Sequence, residues 1–399
     1  MRVPFGIGRH LGAISLVLAS VAVALLFSGC GGGSGGVGGL PGGPGNTGAT
    51  GTSVKVALLL PIGAGGPTQG IAKALKQAAE LALFDFDNPN VLLVPKDTKG
   101  TPEGARAAAE SAIHEGAELI LGPLFAQEVE AVAPVARQAR IPVIAFSSDE
   151  KVAGGGVYLL SFLAGRDVPR IISFAAARGK RNFAELVPQS AYGRIAEAAF
   201  GRAASSGGGQ IAVNAGFPSG NSNAMLGPVR QVAAAVKGSG VDAVFIPAGR
   251  DDLPSLAPLL ASSDLTSAHV QLLGTGQWDY PNIGSERALV GGWYPAPDPK
   301  GWSNFTQRYA KTYGAAPPRL ASLAYDAVSL AVSLSQGAPA ERYSSAQLTR
   351  SSGFAGIDGL FRLLSDGTCE RGLAILEVHE GGPAVIDPAP SSFTTASSY

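Results

Sequence analysis

Reactive chemistry in this chain would have to come from few side chains. Two cysteines, Cys30 and Cys369, and four histidines are all that 399 residues offer for thiol or imidazole chemistry. His114-Glu115-Gly116-Ala117-Glu118 begins like a zinc-binding helix but has no second histidine four residues on, so a solvated helix end explains it better. There is no Cys-x-x-Cys pair, no Gly-x-x-x-x-Gly-Lys-Ser/Thr phosphate loop and no Gly-x-Ser-x-Gly elbow that would expose a nucleophilic serine between a strand and a helix. Gly63-Ala64-Gly65-Gly66 stops short of a dinucleotide fingerprint because Thr68 holds its last place. Cys369 ends the turn-like Ser365-Asp366-Gly367-Thr368-Cys369 and reads as a free thiol, not a nucleophile. Neither a catalytic set nor a metal or cofactor site is expected, which leaves binding chemistry. Ser147 and Ser148 bring hydroxyls, Gln127 and Gln277 bring amides that donate and accept, and Phe125 and Trp278 bring aromatic faces. Each has a plainer reading: Phe125 as core, Gln127 as a helix-cap partner, and Arg250 with Asp251 and Asp252 as solvated charge pairs.

These candidates share a position, since each follows a short apolar run. Val54-Lys55-Val56-Ala57-Leu58-Leu59-Leu60, bounded by Pro61 and Gly63, has the length and borders of a buried strand. Residues 70–84 then place Ile71, Ala74, Leu75, Ala78, Leu81 and Ala82 at helical spacing, with Lys73, Lys76, Gln77 and Glu80 opposite. Strands are predicted at 91–94, 119–121 and 143–146, with helices at 102–114 and 128–139. A second series sets helices at 171–177, 195–204, 225–236 and 253–260 against strands at 183–187, 211–215, 243–247 and 271–274. Such alternation predicts parallel sheets covered on both faces. In open parallel sheets ligands bind beyond the carboxyl ends of the strands, where the candidates stand.

Composition agrees with a folded binding protein. Hydrophobic residues make up 46% and charged ones 15%, enough to bury a core, and the length fits two to three domains. Lys plus Arg equals Asp plus Glu at 30 each, so no net field favours nucleic acid. The N-terminus has Arg2 and Arg9, no acidic residue, an uncharged apolar stretch over 11–27, and then Phe27-Ser28-Gly29-Cys30: the order of an export signal. Small residues before a cysteine suit lipoprotein signal peptidase, so residues 1–30 are expected to be a signal peptide that leaves Cys30 lipidated. Gly31 carries no Asp-type retention signal, which favours the outer membrane over the inner one. Residues 31–53 form a glycine-rich tether, with twelve glycines among the 21 residues from 31 to 51. The tail 388–399, rich in Pro, Ser and Thr, is expected to be flexible.

Several segments, in order, resemble the type I periplasmic binding proteins, in their leucine/isoleucine/valine-binding branch. They are Val56-Ala57-Leu58-Leu59-Leu60-Pro61, Asp97-Thr98-Lys99-Gly100-Thr101-Pro102, Leu121-Gly122-Pro123, Ile141-Pro142-Val143-Ile144, Ala191-Tyr192-Gly193, Leu273-Gly274-Thr275-Gly276, Ala324-Tyr325-Asp326-Ala327-Val328 and Phe354-Ala355-Gly356-Ile357-Asp358-Gly359. The resemblance implies an α/β, two-lobed fold in which each lobe is a parallel sheet sandwiched by helices, with a hinge between them. Lobe 1 is expected over 54–165 and 277–338, and lobe 2 over 166–276 and 339–387. The resemblance also implies a small amino-acid-like or peptide-like ligand between the lobes, delivered to an ABC permease. It places Tyr192 near that cleft, whereas Phe125, Ala126 and Gln127 stand where amino-acid-binding relatives carry hydroxyl residues.

A narrower likeness joins Gly122-Pro123-Leu124-Phe125-Ala126-Gln127, Ala145-Phe146-Ser147-Ser148-Asp149, Val157-Tyr158-Leu159-Leu160-Ser161-Phe162, Gly359-Leu360-Phe361-Arg362 and the lipidation segment. These look like the lipoprotein penicillin-binding-protein activators. That group implies contact with a peptidoglycan synthase in place of solute delivery, and the two alternatives stay open at the level of sequence.

Overall fold

The structure, a computed structural model, describes residues 53–87 and 89–393. The signal segment, Cys30, the tether up to residue 52 and tail residues 394–399 lie outside the described residues. Strand β1 (Val54–Leu60) is buried at six of its seven positions, as a strand flanked by neighbours and covered on both faces must be. The chain continues through α1 (Gly66–Phe84), β2 (Val91–Asp97), α2 (Pro102–His114), β3 (Leu119–Leu121), α3 (Ala126–Ala139), β4 (Val143–Ala145) and β5 (Val157–Leu159). All pairings are parallel, in the order β2-β1-β3-β4-β5. Local chemistry fixes the helix starts. At α2, the Thr101 hydroxyl accepts from the Gly104 N–H at 3.1 Å, and Pro102 follows where its missing N–H costs nothing.

After the crossing segment 160–167 the chain builds a second sheet. It runs through α4 (Val168–Ala177), β6 (Asn182–Pro188), α5 (Ala191–Ser206), β7 (Gln210–Phe217), α6 (Ser222–Gly238), β8 (Ala243–Phe245), α7 (Leu253–Ser262), β9 (Gln271–Leu273) and β10 (Trp293–Ala296). It then returns through Pro297 and Asp298 to α8 (Pro299–Tyr313), α9 (Ala321–Leu334), the short α10 (Ser345–Leu348), and the antiparallel strands β11 (Phe354–Gly356), β12 (Gly359–Leu363) and β13 (Cys369–Arg371). A third crossing, Gly372-Leu373, leads to β14 (Ala374–Glu377) and β15 (Ala384–Asp387). These complete a seven-stranded sheet in the order β15-β14-β10-β9-β8-β6-β7. One apolar core serves the first lobe, and the second sheet is covered by one cluster on each face.

The sheets divide the chain differently from the expected lobe boundaries. Residues 277–296 belong with the second sheet, because β10 lies parallel to β9 and antiparallel to β14. Residues 339–371 belong with the first lobe, whose core takes in Tyr343, Leu348, Phe354, Phe361, Leu363 and Cys369. The sequence shows β10 only as a short apolar run. Its partner β14 lies some eighty residues on, beyond the reach of local pattern. The tail also departs from expectation as far as it is described. Ala389 packs on the second lobe's core, whereas Phe393 is 2% exposed and lies under the guanidinium of Arg362 on β12, in the first lobe.

Candidate functional site

A cavity of about 620 Å³ lies between the lobes at the three crossings. The first lobe contributes Ser148, Arg319 and Arg371, and the second contributes Tyr192, Gln277 and Asp279. Residues 161–164, 166–167 and 295–297 form its hinge side. It opens into a wider groove of about 1020 Å³ that shares Ser148, Arg166 and Ile195. Both carboxyl-end loop sets of an open sheet pair therefore face one space, the geometry that suits a small ligand.

The second-lobe wall is pinned by hydrogen bonds. Ser190 caps α5 by accepting from the Gly193 N–H at 3.0 Å, which sets Tyr192 in the first helical turn. The Tyr192 hydroxyl donates to Thr275 Oγ1 at 2.8 Å, and Thr275 Oγ1 also accepts from the Gln277 N–H at 3.3 Å. Asp167 reaches across from the crossing and accepts from the Gly276 N–H through Oδ2 at 2.6 Å, while its Oδ1 is buried without a hydrogen-bond partner. Burial pushes the Asp167 carboxyl up, against the pull of the Gly276 N–H. It also pushes the Tyr192 phenol up, with the nearby Asp167 charge adding to the shift.

The first-lobe wall is a ladder of cations and rings. The Phe162 ring lies between two guanidinium groups, Arg319 at 5.0 Å and Arg371 at 4.7 Å, with Trp302 beyond Arg319 at 4.5 Å and Phe361 beyond Arg371 at 5.7 Å. Arg319 pairs with Asp358 at 2.5 Å, and Asp358 also accepts from the Ser322 hydroxyl at 2.6 Å. Arg371 is held less tightly. Its side chain is 6% exposed and its nearest carboxylate, Asp326, stands 3.9 Å away; Nε, Nη1 and Nη2 have no hydrogen-bond partner. Asp326 accepts from the Ile357 N–H at 2.7 Å, and burial together with the Asp358 charge pushes its carboxyl up to about 7.

The candidate residues of the sequence analysis separate clearly. Ser148, Tyr192 and Gln277 line the cavity. Ser147 does not: it is buried and its Oγ accepts from the Asp149 N–H at 3.2 Å, shaping the loop. Phe125, Ala126 and Gln127 stand at the start of α3 outside both hollows, and Phe125 is 40% exposed. Trp278 is core. Its ring is fully buried, its Nε1 donates to the Ile246 carbonyl at 3.1 Å, and a Cβ on Gly274 would lie 2.2 Å from the indole. Tyr325 of the family-like segment lies outside both hollows, its hydroxyl bonded to Asp85 at 2.5 Å. Sequence reasoning missed Arg371, Arg319, Phe162 and Asp167 as wall residues. Asp167 near Gly165 and Arg371 beside Gly372 carried one signal, charge close to glycine at segments that proved to be crossings, whereas Arg319 and Phe162 carried none.

Fold and cleft together define a two-lobed receptor for small solutes. A sequence description of the periplasmic binding protein family matches residues 53–383, and the chain belongs to that family, a family of solute-binding receptors that are generally non-enzymatic. The chain is similar to a solved structure described as a branched-chain amino acid ABC transporter protein from Rhodospirillum rubrum. The two are 19% identical, with 84% of this chain and all of that one covered and a TM-score of 0.74. It is also similar to a substrate-binding protein from Desulfitobacterium hafniense in complex with Leu (17% identity, 84% and 99% covered, TM-score 0.59). It is likewise similar to a solute-binding protein of an ABC transporter from R. palustris in complex with benzoate (17% identity, 85% and 98% covered, TM-score 0.54). No protein with a curated description matches in sequence.

Proposed function

We propose that this chain is a lipid-anchored periplasmic receptor that captures a small amino-acid-like solute between its lobes for an ABC permease. The observation that carries the reading is the open cavity of about 620 Å³ at the carboxyl ends of both sheets, of the size that encloses a small organic molecule. Had the protein's own side chains filled it, capture would have no site. The walls support the same reading: a guanidinium and a carboxylate oxygen, Arg371 and Asp167 Oδ1, both buried without hydrogen-bond partners, suit the two ends of a zwitterion. Ligand would favour a closed arrangement only through contacts made with both lobes at once. Cys30 would supply the anchor and residues 31–53 the tether.

The test is thermal denaturation of the full chain against a library of amino acids, short peptides, aromatic acids and sugars, alongside affinity purification from its native membrane. Stabilisation by one solute class and recovery of a permease are expected. Silence across the library with recovery of a penicillin-binding protein would replace capture by regulation of peptidoglycan synthesis.

A further inference from the structure

Among the described residues, Arg371 is the one guanidinium whose three nitrogens are all buried without a hydrogen-bond partner, and it lies on the wall of the cleft. A guanidinium in a purely structural role spreads its five N–H donors over carbonyls and carboxylates, as Arg170 does with the Leu373 carbonyl at 2.9 Å and the Asp387 carboxylate. Arg371 instead has aromatic faces at 4.7 and 5.7 Å, which attract its charge and leave its edge donors unused. Asp326 at 3.9 Å is beyond hydrogen-bond reach. The nitrogens are covered in this arrangement, and the open space next to Arg371 is the cavity that the residue lines, so an acceptor has to come from there.

We infer that Arg371 is the charge-selecting residue of the cleft, and that it receives a carboxylate of the ligand on the edge of its guanidinium. The inference rests on the solute-receptor reading and moves recognition of the anionic end away from the loop at Phe125 to Gln127, which lies outside the cavity, to a strand that ends at a lobe crossing. The two oxygens of a carboxylate match the guanidinium fork. The neighbourhood provides an independent readout. Asp326 faces Arg371, Arg319, Asp358 and the Ile357 N–H, and it titrates near neutrality. A bound carboxylate offsets the Arg371 charge that Asp326 feels, so binding draws a proton onto Asp326.

The experiment is titration calorimetry of the full chain with matched acids and amides: L-leucine and L-leucinamide, benzoate and benzamide. It is run at pH 7 in two buffers of different ionisation enthalpy, on the wild type, Arg371→Gln and Arg371→Lys. At least one acid is expected to bind at least thirtyfold more tightly than its amide, with fractional proton uptake. Arg371→Gln should remove that preference and Arg371→Lys should restore part of it. If Arg371→Gln does not fold, the acid–amide ratio and the proton count on the wild type decide. An amide bound within threefold of its acid, an Arg371→Gln protein that binds the acid as the wild type does, or no binding of either acid would each overturn the assignment. An amide or another neutral solute that still binds leaves the receptor reading standing, so the two failures are distinguishable.

Discussion

At the scale of single residues, burial decides between roles that side-chain chemistry leaves open. Trp278 has the ring and N–H of a ligand wall, yet both are used inside the second lobe, between the Ile246 carbonyl and the neighbouring Tyr294 ring. Trp278→Ala should therefore cost about 3–5 kcal/mol of stability, read as a fall in the urea midpoint. A ligand-wall role would leave the midpoint unmoved and change binding only. Glu185 offers a second case. It sits on β6, 1% exposed, with one oxygen unpartnered and the other accepting from Asn214 Nδ2, which also bonds Glu197. Burial, with a smaller push from Glu197, lifts its carboxyl to about 8. The folded state thus holds a proton that the unfolded chain releases near pH 4.5, so this group costs stability as pH rises from about 4.5 to 8 and no more above that. Glu185→Gln should match the wild type in acid. It should melt progressively higher than the wild type up to pH 8, with each kcal/mol worth about 2–4 °C. A constant gap across that range would show that Glu185 is ionised in the folded protein throughout.

At the scale of elements, the sequence made the parallel strands legible because burial on both faces demands unbroken apolar runs such as Val54–Leu60, and it made α2 legible through Thr101 and Pro102. It did not show which lobe owned the segments after 276. That depends on β14 pairing antiparallel with β10 and on α9 placing Leu323, Ala327, Leu330 and Ala331 in the first core. Half of the candidate site was readable for the same reason. Ser148, Tyr192 and Gln277 follow strands or open a helix in regular α/β units, whereas Arg371 stands at the end of a strand in a three-stranded antiparallel sheet that no local pattern announced. The junction of β6 and α5 shows how tightly an element is held. A Cβ on Gly193 would lie 1.9 Å from the Pro188 carbonyl oxygen, so the first turn of α5 can seat there only with glycine. Gly193→Ala should lift that turn off the strand and carry Tyr192 away from Thr275, with a stability loss of about 1–3 kcal/mol as in other overpacked sites. The check is a lowered melting temperature together with a weakened response to whichever solute stabilises the wild type. An unchanged melting temperature would mean that the helix start has slack.

At the scale of the whole molecule, a receptor that closes on its ligand must keep the connections between its lobes pliable and yet limit how far they open. Three crossings run through 160–167, Pro297-Asp298 and Gly372-Leu373, and the tail adds a fourth tie that the composition of its last residues did not disclose. From β15 in the second lobe it passes Ala389 over that lobe's core and Pro390 beside Gly372, then buries Phe393 against Gly353 and under Arg362 in the first. The side chain of one phenylalanine therefore fastens one lobe to the other. Arg170 reinforces the origin of this strap by bonding both Asp387 and, at 2.9 Å, the Leu373 carbonyl. Removing the Phe393 ring leaves both cores intact and releases only the tie, so Phe393→Ala should widen the range of lobe separations in the unliganded protein. X-ray scattering should then show a larger radius of gyration without ligand and an unchanged one with it. Affinity should fall by the factor by which the closure-competent fraction falls, about twofold if that fraction halves. Equal radii for the two proteins without ligand would show that the three crossings alone set the opening and that Phe393 merely covers Gly353.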